Sequence, residues 1–145
     1  MKTIKFLTVL AISLIFTSCN GQDKSKTISS NDSSSKIEVI DFYGTHRCVT
    51  CKAIEASAKY TVDTYFADEQ KKGTVVFKTV NVDEKENEKI AKRFEAAGTA
   101  LFLNVIKDGK EKHIDLTDFG FSKGRNQEAF AKELKAKIDT ELKTL

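Results

Sequence analysis

The stretch from Ile37 to Lys52, I-E-V-I-D-F-Y-G-T-H-R-C-V-T-C-K, limits the possible folds more than any other part of the chain. Its first seven residues are mostly β-branched or aromatic, the composition of a strand. The nearly continuous apolar run is that of a central strand covered on both faces. Gly44 and the pair His46–Arg47 end it. From Cys48 the period changes: Ile54, Ala58, Val62, Tyr65 and Phe66 recur at three- and four-residue spacing. That spacing predicts a helix from about Cys48 to about Gln70, closed by Gly73. Two cysteines therefore stand where a buried strand hands over to a helix.

The rest of the chain supplies the other elements. Thr74–Val82 is a second strand by the same composition. Asp83, with Glu86 three residues on, has the pattern of a capping box. The helix expected there turns Ile90, Ala91, Phe94 and Ala97 inward and stops at Gly98. Thr99–Lys107 is a third strand, Asp108–Gly109 a hairpin turn, and Glu111–Leu116 its partner strand. Thr117–Arg125 reads as a loop whose Phe119 and Phe121 serve core or lid packing, or a partner patch. Asn126 caps a last helix carrying Phe130, Leu134 and Ile138. The order β-α-β-α-β-β-α predicts an α/β domain over residues 37–145, a mixed four-stranded sheet with helices on both faces. Strands joined through helices are expected to pair in parallel, and the hairpin to form an antiparallel edge.

Residues 1–18 have a short basic start at Lys2 and Lys5 and an apolar run from Phe6 to Phe16. This is the layout of a secretory signal peptide, too short in its apolar part for the roughly 20 residues of a membrane span. Leu14–Cys19, L-I-F-T-S-C, resembles a bacterial lipoprotein signal. That resemblance implies cleavage before Cys19 and lipid on its sulfur, so Cys19 is an anchor rather than a redox group. Residues 19–36 are polar and serine-rich and read as a lipid-anchored flexible linker. The expected location is the bacterial cell envelope, facing the periplasm or at the outer membrane. Loss of Lys2 and Lys5 takes the net charge from +3 to +1. A near-neutral chain without a basic face is not expected to bind nucleic acid.

Cys48 and Cys51 then remain in an exported protein. A bridge across so short a loop constrains little chain, which points to reactivity rather than stapling. Cys48 at a helix N-terminus faces unpaired N–H groups and the positive end of the dipole, which favour a thiolate. His46 and Arg47 are candidates for added thiolate stabilisation. Cys48 is therefore the expected attacking thiol and Cys51 the resolving one. The two thiols are also candidate ligands of a soft metal ion or trivalent arsenical. A closed zinc site needs four ligands, and only His46 lies near in sequence, His113 being far along the chain.

A C-x-x-C at a strand-to-helix junction inside β-α-β resembles the thioredoxin motif. The surrounding V-I-D-F-Y-G-T-H-R-C-V-T-C-K and Val80–Glu84, V-N-V-D-E, resemble thioredoxin-like sequences over about Ile37–Leu142. The resemblance implies a thioredoxin-like fold and a redox-active Cys48–Cys51 disulfide, with no other cofactor. It also implies a buried Asp41 that assists proton transfer to the resolving thiol. Ala100 stands where such proteins place a cis-proline, and the chain contains no proline. A cis bond before alanine costs about 2.5–4 kcal/mol, so a trans bond is expected there. In thioredoxin-like proteins loss of this proline is associated with metal capture by the two thiols. H-R-C-V-T-C-K-A-I-E and V-N-V-D-E-K-E-N are most similar to small ArsF-type proteins, linked by name to a nitrophenyl-compound nitroreductase. Three functions are thus carried forward. The first is an envelope thiol–disulfide oxidoreductase or electron relay with a restricted redox partner or disulfide substrate. The second is an accessory subunit binding soft metal or arsenical through the same dithiol. The third is an interaction domain with an inert disulfide.

Overall fold

A computed structural model describes residues 35–145. The expected signal segment, Cys19 and all but the end of the linker lie outside these residues. The elements are β1 (Lys36–Tyr43), α1 (Val49–Tyr65), α2 (Ala67–Lys72), β2 (Val75–Asn81), a 3-10 turn at Lys85–Asn87, α3 (Glu88–Arg93), β3 (Ala100–Lys107), β4 (Lys110–Asp115), α4 (Thr117–Lys123) and α5 (Gln127–Leu142). Lys36, assigned to the linker from sequence, is the first residue of β1.

The four strands form one mixed sheet in the order β2-β1-β3-β4. β1 is central, as its apolar run requires. Successive strand residues face opposite sides, so Ile37 and Val39 join Ile54, Ala58 and Val62 of α1 and Phe130, Leu134 and Ile138 of α5 in one core. Ile40 and Phe42 point the other way and pack with Phe94, Ala96 and Phe102. This is the expected α/β arrangement, a mixed four-stranded sheet with helices on both faces, and α2 and α4 are additions to the seven expected elements.

Pairing departs from expectation in one place. β1 and β2 are parallel, but β3 runs antiparallel to β1, with Ala100 opposite Phe42 and Ile106 opposite Lys36. The reason is length. α3 has six residues, about 9 Å at 1.5 Å each. A seven-residue strand such as β2 is about 23 Å long. So short a helix cannot carry the chain back along the sheet, and β3 starts at the end where β2 stops.

Four local expectations are also corrected. The helix expected over 48–70 breaks at Phe66, which leaves helical geometry and turns into the core, while Gly73 closes α2 in the left-handed region. Asp83 does not cap a helix with Glu86. Its Oδ2 accepts from the Thr45 N–H at 2.6 Å, and α3 starts only at Glu88. α3 ends at Arg93, Glu95 adopts φ 53°, and Ala96 rather than Ala97 is buried. Thr117–Lys123 is a helix, because Phe119 packs against Phe130 in a tilted ring pair and Gly120 gives Ile54 room to meet α4.

Candidate active site

β1 delivers the chain to the C-terminal end of the sheet, and Gly44–Arg47 turns it into α1. Cys48 is the N-cap residue of α1, extended at φ −73° and ψ 163°. Its Sγ accepts from the Cys51 N–H at 3.0 Å. The two sulfurs are joined in a disulfide, with the Cα atoms 5.0 Å apart. Cys48 is exposed, whereas Cys51 is 8 % exposed and packed one turn inside the helix. On reduction the N–H groups of the first turn face Cys48, where an anion is favoured.

Behind the pair lies a charge cluster. Asp41 is fully buried on the α1 side of β1. Arg47 donates from Nη2 to Asp41 Oδ2 at 3.1 Å, from Nη1 to Glu55, and from Nη2 to the Cys51 carbonyl at 3.4 Å. Its guanidinium also lies over the Tyr43 ring at 4.4 Å. Asp41 Oδ1 has no hydrogen-bond partner among the described residues. Burial pushes the Asp41 carboxyl up to about 7, opposed by the attraction of Arg47 and assisted by the repulsion of Glu55. Arg47, singled out from sequence as a thiolate stabiliser, thus spends its charge on two carboxylates. His46 is exposed. The Thr45 backbone and side chain hold Asp83 below the usual carboxylate range, and His46 adds to this.

Ala100 begins β3 opposite Phe42, at the end of the sheet that carries the disulfide. No peptide bond among the described residues is cis, so the Thr99–Ala100 bond is trans, as expected. Ala100 lines one side of a cleft of about 720 Å³ whose other walls include Phe94, Phe102, His113 and Asp115. His113 stacks on Phe94 with ring centroids 3.9 Å apart and meets Glu111 at 3.0 Å. Among the described residues no three His, Cys, Asp or Glu side chains gather as a metal-binding group.

Two residues of this neighbourhood carry no local signal in the sequence. Glu55 faces Arg47 from the second turn of α1. Arg125, from the turn after α4, donates from Nε to Thr50 Oγ1 at 3.0 Å, between the cysteines and 75 positions away. Only the tertiary fold brings Arg125 to the motif.

No protein-family model matches the chain, and no curated protein matches it. Among solved structures, the X-ray structure of Fasciola hepatica thioredoxin is similar at 24 % identity and a TM-score of 0.39, over 64 % of this chain and 81 % of that one.

Proposed function

We propose that the protein is a thiol–disulfide oxidoreductase of the bacterial envelope, anchored by lipid on Cys19 and acting through Cys48 and Cys51. The observation that carries this reading is the asymmetry of the pair. An exposed sulfur caps a helix, its partner is buried, and a buried carboxyl lies behind them. In the reducing direction the Cys48 thiolate attacks a partner disulfide, forming a mixed disulfide and releasing one partner thiolate. Cys51 then loses its proton, attacks Cys48 Sγ and releases the second partner thiolate. The dithiol is oxidised and the partner gains two electrons; its two thiolates take up the proton lost by Cys51 and one from solvent. The oxidising direction is the same sequence reversed.

Asp41 is the proton acceptor for Cys51 in this reading, through the oxygen that Arg47 leaves free. A carboxyl near neutrality can both take and return a proton at the working pH. The trans bond before Ala100 leaves a backbone N–H that proline lacks, which suits a restricted partner rather than general reductase activity. The expected association with an ArsF-type system belongs to this reading as the source of that partner.

The test is insulin disulfide reduction by the reduced protein, with trapping of mixed disulfides in a Cys51→Ser variant. Turnover lost in Cys48→Ser, and a trapped adduct on Cys48, support the proposal. No exchange with any disulfide, together with stoichiometric thiol-dependent binding of zinc or arsenite, would replace it by the ligand-binding function.

A further inference from the structure

The cations around the dithiol are unequal. Arg47 is bound to Asp41 and Glu55. Arg125 and Lys52 make no ion pair among the described residues, and both are exposed. Lys52 lies one helical turn after Cys48, its N–H bonded to the Cys48 carbonyl at 3.1 Å, so it projects from the same helix stripe. Among the described residues Arg125 is held by its Nε alone, against Thr50, which leaves the rest of its guanidinium fork for a second partner. Three acids close to the motif are already engaged, Asp41 and Glu55 with Arg47 and Asp83 with Thr45, whereas Asp118 and Glu128 make no ion pair among the described residues.

Apolar surface accompanies these charges. Val49, directly after the attacking cysteine, is 75 % exposed, and Phe121 of α4 is 46 % exposed. α4 is fixed to the N-terminal half of α1 by contact at Ile54. A Cβ on Gly120 would lie 3.4 Å from the Ile54 side chain, and one on Gly124 only 2.7 Å. The Gly124 carbonyl also accepts from Ser57 Oγ at 3.4 Å. This contact is what carries Arg125 to Thr50. The turn after α4 thus brings a cation with no ion pair among the described residues to the redox motif, and α4 itself carries an exposed aromatic ring.

We infer that Arg125 and Lys52, with Val49 and Phe121, form a docking surface for a partner protein whose disulfide is flanked by acidic residues. This rests on the exchange chemistry proposed above and names the partner's chemistry. The free guanidinium pairs with a partner carboxylate beside the sulfur under attack. The apolar flanks take the adjoining side chains. Opposite charge at such a contact mainly raises the association rate and orients the encounter.

The experiment uses the full-length chain, reduced, in neutral detergent. Its oxidation is followed with two peptides, identical apart from acidic or basic residues beside an internal disulfide, and with neutral 2-hydroxyethyl disulfide. Each peptide rate is divided by the same protein's rate with the neutral compound. The acidic peptide is expected to react faster than the basic one by at least about threefold at low salt, with the difference shrinking at high salt. Arg125→Gln should shrink this preference and Arg125→Glu invert it. Lys52→Gln serves as an independent variant if either Arg125 variant unfolds. Equal rates for the two peptides, or a preference that survives Arg125→Glu, overturn the docking surface while leaving the exchange function standing. A preference equally large for oxidised glutathione overturns the protein partner in favour of a small anionic disulfide. Failure to react even with 2-hydroxyethyl disulfide removes the exchange function and the docking surface with it.

Discussion

Replacing Asp41 by Asn should stabilise the protein above neutral pH and not in acid. In the folded protein this carboxyl sits at about 7, against a usual value of 3.8. The folded state therefore binds a proton more tightly than the unfolded chain. The stability this contributes is fully present below about pH 4, is lost as pH rises towards 7, and stays lost above it. At about 1.4 kcal/mol per pH unit, the shift corresponds to roughly 4 kcal/mol. Asn at this position has no such term. Its amide oxygen can still accept from Arg47, which also keeps Glu55. The assay is urea unfolding of both proteins from pH 4 to pH 9, with the disulfide intact so that no thiol titrates. The stability difference between variant and wild type should grow by roughly 4 kcal/mol between the two ends and level off above pH 7. Glu38 is held below its usual value. Its burial, which acts in the opposite direction, is outweighed by hydrogen bonds from Lys78 and Asn104 and the charges of Lys78 and Lys36. It titrates alike in both proteins and cancels. Parallel stability curves over the whole range would show that Asp41 ionises like an exposed carboxyl, and would remove its assignment as a proton acceptor.

Two further outcomes follow from the same geometry. Arg47→Gln removes the main influence that holds Asp41 down, so the carboxyl should rise further, and the variant should lose more stability at pH 9 than at pH 5 in the same urea series. Gly124→Ala should destabilise by about 1–3 kcal/mol, because the added Cβ would meet Ile54 Cγ1 and the Gly120 carbonyl at 2.7 Å. Gly98→Ala, whose Cβ meets nothing within 4 Å among the described residues, is the control in the same measurement.

The elements that were legible in the sequence are those whose signal is local. The apolar run of β1, the Asp108–Gly109 turn with both residues at positive φ, and Asn126 accepting from the Ala129 N–H all formed where expected. The cysteine pair was legible for the same reason, being a spacing placed at a change of period. What was missed depends on distant partners. Asp83 has the pattern of a cap, but Thr45, 38 positions earlier, takes its carboxylate. Thr117–Lys123 has no helical period and a central glycine, and becomes a helix because Ile54 and Phe130 offer surfaces to pack on. Arg47 carried a readable charge, but the sequence could not show that Asp41 and Glu55 would absorb it.

The two acids of β1 have a consequence for the chain before it folds. β1 is made first, yet both its neighbours lie downstream, and β3 is complete only at Lys107. Until then I-E-V-I-D-F-Y is an unpaired segment of high β-propensity, the type that seeds intermolecular sheets. Glu38 and Asp41 put negative charge into that segment while it is exposed to water, and charges so placed oppose self-association. In the finished fold Glu38 is neutralised by Lys78 at 2.5 Å, and Asp41 sits far above its usual range. Asp41, which costs the folded sheet stability above neutral pH, thus joins Glu38 in protecting the nascent strand, and an Asp41→Asn protein that is more stable once folded above neutral pH should also aggregate more readily while it waits for β3.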